Sequence, residues 1–219
     1  FKNELKVLDC TFDIQNNLKK ELDKLCSEAE IAVREGYKHL ILSDKKISEK
    51  KAPIPMILAF GAINSKLINL GIRGFVSINV QTAEALDTHS FAVLLGVGAT
   101  TINPYLVFDS IYQRYEKKLF GKFNYKECIQ RYIKSVDSGL LKIMSKMGIS
   151  VLSAYRGGCN FETVGLSRAI VAEYFPGMIS RISGIGILGI EKKIKELHKK
   201  AFQKNVSILP IGGIYKYRK

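Results

Sequence analysis

Polar and glycine residues are concentrated in the stretch Ser153–Asn160, which contains Tyr155, Arg156 and two successive glycines. A guanidinium beside flexible residues can hold a carboxylate or a phosphate through two parallel hydrogen bonds. Two hypotheses therefore stay open: Arg156 binds an anion, or it forms a structural ion pair in a backbone turn. Cys159 lies in the same loop, where a positive neighbour favours a thiolate, but no general base is identifiable beside it.

A second candidate is Gly184–Gly189, which matches the pattern GxGxxG and precedes a segment of helical period. In a dinucleotide site this pattern follows a hydrophobic strand and precedes an acidic residue about 20 positions later. The preceding residues Arg181–Ser183 are too few and too polar for such a strand, and Leu209–Gly213 offers no carboxylate. We therefore expect a structural turn over Ser183–Gly189 and no cofactor in this segment.

The other reactive residue types form no recognisable constellation. His89 is expected in a helix with Asp87 and Ser90, but residues one or two apart do not share a helix face, so these three cannot form a triad alone. The four cysteines are scattered without a CxxC pair, and the three histidines are isolated. We therefore predict four reduced thiols, no metal site and no catalytic residue in this chain.

The composition is that of one globular unit with an excess of cations. The 219 residues include 34 Lys+Arg against 20 Asp+Glu, which gives a net charge of +14. The longest apolar stretches, Ile54–Ile63 and Phe91–Val97, are too short for a membrane span. The lysines of the last helical segment are mixed with Glu191 and Glu196, without interleaved aromatic residues. We therefore expect a solvated cationic surface, with no nucleic-acid partner and no membrane partner.

The first 13 residues have no apolar core of the kind found in signal peptides, and the first residue is Phe1. We therefore expect a cytoplasmic chain that is cut from a longer one.

Short β-type runs alternate with longer segments of helical period, which is typical of parallel βαβ units. We predict an α/β fold with a mostly parallel sheet of βα repeats, resembling a partial (β/α) barrel. The predicted strands are Lys6–Asp9, His39–Ser43, Phe75–Val80, Ala99–Ile102 and Ile149–Leu152. The predicted helices are Asn17–Glu35, Met56–Leu70, Ala83–Leu95 with Thr82 as N-cap, Tyr105–Lys118, Tyr125–Met147, Ser167–Phe175 and Ile190–Gln203.

In such a fold the loops that follow the strands share one edge of the sheet, where α/β proteins place their sites. The loops predicted at this edge are Ser43–Lys46, Gln81–Glu84, Asn103–Tyr105 and Ser153–Asn160. We expect the last loop, which follows the predicted strand Ile149–Leu152, to face a neighbouring domain.

Several blocks, in the same order along the chain, resemble the large subunit of bacterial glutamate synthase. They are Ile41–Asp44, Ala52–Pro55, His89–Gly96, Ile102–Tyr105, Gly139–Ser150, Tyr155–Gly157 and Ser180–Gly186. The sequence departs from the usual residues of that family at Gln81, Ala83, Ser90 and Cys159. Residues 1–206 are similar to the central domain with a truncated N-terminus, and residues 207–219 are similar to the lead-in to the flavin domain.

The resemblance implies an enzyme in which one domain hydrolyses glutamine, ammonia passes through a tunnel, and a flavin domain makes glutamate from 2-oxoglutarate. It implies that FMN and an iron–sulfur cluster are bound elsewhere in the polypeptide, and that the segment alone is inactive. The expected partners are the glutaminase and FMN domains and, because Tyr155-Arg156-Gly157 resembles the NADPH-dependent type, a small subunit. Asn103, Ser153, Tyr155, Arg156 and Gly157 are the residues expected at an interdomain or tunnel-edge loop.

Two other functions remain open from the residues alone. One is a free-standing α/β module that binds an anionic metabolite through the Arg156 loop. The other is a basic nucleic-acid-binding domain.

Overall fold

The computed structural model describes residues 4–203, and the segment 207–219 assigned to the flavin lead-in lies outside this range. Strands and helices alternate along most of the chain, as the sequence predicts. In chain order the elements are β1 (Leu5–Asp9), β2 (Thr11–Asp13), α1 (Leu18–Arg34), β3 (His39–Ser43), β4 (Lys51–Pro53), α2 (Met56–Asn69), β5 (Ser77–Gln81), α3 (Thr88–Gly96), β6 (Thr101–Asn103), α4 (Tyr105–Glu116), α5 (Tyr125–Lys146), α6 (Leu152–Tyr155), β7 (Glu162–Leu166), α7 (Arg168–Tyr174), β8 (Ile179–Ile185) and α8 (Ile187–Ala201).

The main sheet has four parallel strands in the order β1-β3-β5-β6. This progressive order is that of a (β/α) barrel, but among the described residues the sheet does not close. Leu8, Leu42 and Val80 are aligned across the first three strands and are fully buried beneath the helices. The predicted α/β fold with a mostly parallel sheet is therefore confirmed.

The opposite face of this sheet is only partly covered. The row Val7, Ile41, Asn79 and Thr101 alternates with the buried row, and Val7 is 53% exposed. Parallel sheets in α/β proteins are normally covered on both faces. The main sheet thus has one face packed against helices and one face that is open to solvent within residues 4–203.

Helix α1 forms because its apolar residues recur at three- and four-residue steps, so that Leu18, Leu22 and Leu25 lie buried on one side. The side chain of Asn17 accepts a hydrogen bond from the N–H of Lys20 and caps the helix. The predicted helix is confirmed here, as are those of α2, α4, α5 and α7 with small shifts at their ends.

Three predictions of local structure are wrong. Residues 149–152 form no strand: Val151 and Leu152 are exposed, and the short helix α6 begins at Leu152. Helix α3 begins at Thr88 with Asp87 as its N-cap, not at Ala83 with Thr82 as its N-cap. Residues 183–189 form no turn, because they are the end of β8 and the start of α8.

Two small sheets were absent from the sequence prediction. Strands β2 and β4 form an antiparallel pair, and β7 and β8 form a parallel pair connected through α7. No helix within residues 4–203 combines the length and the hydropathy needed to cross a membrane.

Candidate functional site

Asp44 joins two loops at the carboxyl edge of the main sheet. It follows β3, is 1% exposed, and accepts a hydrogen bond of 2.6 Å from the hydroxyl of Thr82, which follows β5. Its two carboxylate oxygens also lie 3.0 and 3.2 Å from the N–H of Ala83. The hydroxyl oxygen of Thr82 also accepts a 3.1 Å hydrogen bond from the N–H of Glu84, so Thr82 organises the loop after β5, and Asp87 caps α3.

Tyr105 brings the loop after β6 into the same cluster. Burial raises the pKa of the Tyr105 hydroxyl, and the neighbouring Asp44 carboxylate raises it further. The Lys45 ammonium lies 5.1 Å from the centre of the Tyr105 ring. The tyrosine therefore remains protonated beside Asp44.

Glu84 links the same edge to α2. Its carboxylate accepts a 2.8 Å hydrogen bond from the N–H of Met56, the first residue of α2. Part of the Glu84 residue is exposed to solvent. The pKa of its carboxyl is nevertheless raised: desolvation by the surrounding protein raises it most, the hydrogen bond from Met56 lowers it, and the charge of Asp44 raises it. Both carboxylates are thus held by backbone N–H groups, an arrangement that clamps the loops together and leaves neither group free as a base.

The predicted candidate loop lies elsewhere, against the end of α3. The N–H groups of Gly157 and Cys159 each donate a 3.1 Å hydrogen bond, to the carbonyls of Leu95 and Gly96. The Tyr155 hydroxyl donates to the carbonyl of Ala92 at 3.1 Å. Three donors of the loop therefore bond to carbonyls in the last two turns of α3. Carbonyls at the end of a helix lack some of their partners within the helix, and the loop supplies them.

This contact places the loop at the amino edge of the sheet, and the predicted position at the carboxyl edge is wrong. The strands β5 and β6 are parallel, so α3 leaves β5 at the carboxyl edge and must end at the amino edge before β6. There the N–H of Thr100 donates to the carbonyl of Ile78. A strand at residues 149–152 would deliver the loop to the carboxyl edge, and these residues form no strand.

The predicted site residues are consequently divided between two edges. Asn103 ends β6 at the carboxyl edge, where its carbonyl accepts from the N–H of Thr82 at 3.0 Å. Tyr155 and Gly157 lie at the amino edge with Arg156 and Ser153, both of which are exposed. The structure brings together Tyr155, Arg156 and Gly157, and it does not bring Asn103 to them.

Close packing between glycines and side chains fixes the loop. A Cβ atom on Gly96 would lie 2.0 Å from Cε2 of Phe161, so the ring of Phe161 occupies the space above this glycine. Gly157 has a φ of +74°, a conformation that favours glycine, and a Cβ atom there would lie 3.8 Å from Cα of Gly98. The loop is therefore a packed part of the fold.

A second arginine lies beside the loop. Arg73 donates to the side-chain oxygen of Asn64 and to the carbonyl of Val76, both at 2.7 Å, and more weakly to the carbonyl of Gly98 at 3.4 Å. Burial lowers the pKa of the Arg73 guanidinium, and the charge of Arg156 lowers it further. Among residues 4–203 no carboxylate forms an ion pair with either arginine. Two positive charges thus converge near Gly98 without a neutralising partner, and the structural ion pair considered for Arg156 is absent from the described part of the chain.

The glycines of the GxGxxG stretch have a packing role. Gly184 lies in β8, and a Cβ atom on it would lie 2.0 Å from the carbonyl oxygen of Gly165 in β7. A strand does precede the helix, contrary to expectation, but β8 ends at Ile185 and α8 begins at Ile187. No loop remains between them that could cradle a phosphate.

The cysteine thiols form neither disulfides nor a cluster of metal ligands within the described range. All four cysteines are free, as predicted. Burial raises the pKa of the Cys10 thiol well above its usual value, and burial followed by the charge of Asp23 raises the pKa of Cys26 to about 11. Within the described range no three His, Cys, Asp or Glu side chains lie together as metal ligands.

His89 lies in α3 as predicted, while Asp87 accepts hydrogen bonds from the N–H and the hydroxyl of Ser90 at 2.9 and 2.7 Å. These bonds from Ser90 lower the pKa of the Asp87 carboxyl. Asp87 therefore serves as the cap of α3.

Comparison with known proteins identifies the family. The family model described as "Glutamate synthase central domain" matches residues 1–167. The chain is 52% identical over 215 residues to the glutamate synthase [NADPH] large chain of Azospirillum brasilense, covering 97% of this chain and 14% of that protein. It is 39% identical over 203 residues to the same enzyme chain of Bacillus subtilis, covering 92% and 13%.

A ferredoxin-dependent glutamate synthase from Pyropia yezoensis is 39% identical over 218 residues, which cover 94% of this chain and 14% of that protein. The chain therefore spans about one seventh of the length of the curated relatives that it matches. It belongs to the glutamate synthase central domain family.

Proposed function

We propose that this chain is the part of a glutamate synthase large chain that joins the glutaminase and FMN domains and helps to form the path of ammonia between them. The whole enzyme would convert glutamine, 2-oxoglutarate and a reductant into two molecules of glutamate. Membership in the family supports this role over a free-standing module or a nucleic-acid-binding domain. The higher identity to the Azospirillum NADPH enzyme than to the Pyropia ferredoxin enzyme supports the NADPH type, with a small subunit as partner, acting in the cytoplasm.

The cofactors of the family do not fit the described residues. An iron–sulfur cluster needs several thiolates at one place, and the four free cysteines have no such grouping here. The first glycine of GxGxxG, Gly184, packs against the backbone of Gly165 in β7. We therefore place FMN and the iron–sulfur cluster in other parts of the polypeptide, and we expect the isolated segment to show no flavin absorbance and neither enzymatic activity.

The observation that carries the linking role is a pair of arginines, Arg156 in the fixed loop and Arg73 beside it. Arg156 is exposed, Arg73 is half-buried, and within the described range neither has a carboxylate partner. A half-buried guanidinium bonded only to neutral oxygens keeps a charge that a carboxylate would stabilise. An acidic segment of a neighbouring domain, bound in the bidentate manner of arginine, would supply that charge.

The test is the Arg156→Ala substitution in the full-length enzyme. Loosening this contact should uncouple the two domains, so that the ratio of glutamine hydrolysis to glutamate synthesis rises while flavin content stays normal. Arg34→Ala is the matched control, because Arg34 is also exposed but pairs with Glu30 on its own helix α1. An unchanged ratio with full activity in the Arg156 variant would contradict the proposal.

A further inference from the structure

Strands β7 and β8 form a parallel sheet of only two strands. Their register places Val164 opposite Ile182, and these side chains are 63% and 60% exposed. Parallel strands are normally found inside larger sheets with both faces covered, and an isolated pair of strands is at best marginally stable in water. The exposed apolar pair therefore indicates that this sheet is incomplete within residues 4–203.

The hydrogen bonds identify which groups of β7 lack a neighbour. The N–H of Ser167 donates to the carbonyl of Ile185 in β8 at 2.9 Å. The register advances two residues on β7 (162, 164, 166) for three on β8 (179, 182, 185), so the irregularity lies on β8. The carbonyl of Gly165 lies against Gly184 of β8, and Thr163, two residues earlier, faces the same edge. Glu162, Val164 and Leu166 then direct their N–H and C=O groups to the opposite edge, where no strand lies within the described part of the chain.

A cavity of about 530 Å³ runs along that free edge. Its wall on the β7 side includes the consecutive residues 161–164, and Met178 and Ile190 also line it. The rest of the wall is mostly apolar and includes Leu58 of α2, Val93 of α3 and Ile170 of α7. An apolar groove thus adjoins β7, whose second edge has no partner strand among the described residues.

We propose that this groove binds an extended apolar segment from another part of the same polypeptide, which adds as a strand to the free edge of β7. The inference rests on the proposed function, namely that the chain is one domain within a larger enzyme. Backbone donors on alternate residues repeat about every 6.6 Å along such an edge, and an extended backbone is the ligand that matches this repeat. The apolar wall would cover alternate side chains of the added strand.

The charge of the chain argues against a second copy as the occupant. This segment carries a net charge of +14 in each copy, so pairing two such segments through this edge would work against their local repulsion. The relatives are about seven times longer than this chain, so the intact polypeptide contains ample further sequence to supply the strand.

The experiment is residue-resolved amide hydrogen exchange in the intact glutamate synthase that contains this sequence. The amides of Thr163, Gly165 and Ser167 face β8 and are the internal reference, while those of Glu162, Val164 and Leu166 face the groove. If a strand is added, the two sets should have protection factors within about tenfold of each other. No substitution is needed, so the result does not depend on a variant that folds.

Two outcomes would overturn the inference. Groove-facing amides that exchange more than about a hundredfold faster than the reference set would leave the edge unpaired. Protection of the groove-facing set that is lost on dilution, as oligomers dissociate, would assign the groove to a second copy. Either result leaves the Arg156→Ala activity ratio unaffected, so failure of this inference and failure of the proposed function can be distinguished.

Discussion

The hydroxyl of Tyr155 donates a 3.1 Å hydrogen bond to the backbone carbonyl of Ala92, 63 residues earlier in the chain. Tyr155 is 1% exposed, and its ring meets Phe161 edge-on with 6.3 Å between ring centres. Burial also raises the pKa of the Tyr155 hydroxyl, so the group remains a donor at neutral pH. This one bond ties the loop at the amino edge to the interior of α3.

Replacing Tyr155 with Phe should lower the free energy of unfolding by about 1 kcal/mol, because it removes one buried hydrogen bond and keeps the packed ring. Urea denaturation of the purified chain measures the change. Tyr112→Phe is the matched control: Tyr112 is 51% exposed, and its loss of a hydroxyl should change stability little. Equal effects of the two substitutions would show that the bond to Ala92 contributes nothing.

Gly96→Ala should destabilise the chain by about 1–3 kcal/mol, since the added methyl group overlaps the ring of Phe161 and forces repacking. Adding Phe161→Leu to Gly96→Ala should cost less than the sum of the two single changes, because a smaller side chain leaves room for the methyl group. In Gly74→Ala, by contrast, the new Cβ atom meets no heavy atom within 4 Å, so this control should be close to neutral. Additive costs for Gly96 and Phe161 would refute the steric explanation.

Asp44→Asn should lower the free energy of unfolding by about 1.5–3 kcal/mol, the range for hydrogen bonds to a charged group. An amide oxygen in the place of Oδ2 can still accept from Thr82 and Ala83, but it lacks the negative charge, and the NH2 group in the place of Oδ1 would meet the N–H of Ala83 donor to donor. Thermal or urea denaturation provides the measurement. Asp109 is exposed on α4, so Asp109→Asn is the control, and a similar loss there would indicate a general charge effect instead of a local clamp.

Glu84→Gln should change how stability depends on pH. The folded-state pKa of Glu84 is raised, chiefly by desolvation, so the folded protein holds this proton more tightly than the unfolded chain. The stabilisation that protonated Glu84 gives to the folded state is therefore fully present below the unfolded pKa of about 4.3, and it is lost as pH rises through the folded pKa. The stability of Glu84→Gln relative to the parent chain should rise as the pH increases from about 4 through the folded pKa of Glu84. Parallel curves across this range, measured by urea denaturation, would show that Glu84 does not titrate in this way.

The main sheet could be predicted from the sequence because its strands are short apolar runs separated by regular amphipathic helices. The start of α3 could not, since Thr82 and Asp87 are both good capping residues. In the structure Thr82 bonds to Glu84 and to Asp44, 38 residues away, and Asp87 caps the helix. The run at residues 149–152 has β-type composition, but its Val151 is exposed, and exposure depends on neighbours that local sequence does not reveal.

The candidate loop was identified by its residues and assigned to the wrong edge. Its chemistry is local, so Tyr155, Arg156 and Gly157 could be selected from sequence alone. Its position depends on long-range bonds to Leu95 and Gly96, which no pattern within the loop indicates. The second arginine was missed for the same reason, because Arg73 lies far from Arg156 in sequence and approaches it only through Gly98.

The dependence of α3 on a distant loop sets an order of events during protein synthesis. The strands β1 to β6 and α3 leave the ribosome before Tyr155 and the residues that follow it. Until then, the carbonyl of Gly96 lacks the N–H of Cys159, the carbonyl of Leu95 has the N–H of Gly98 but not that of Gly157, and no ring covers Gly96. The nascent chain therefore carries an unfinished helix end while α4 and α5 are made, and a pause in translation within that interval would prolong the exposure of this end to chaperones and proteases.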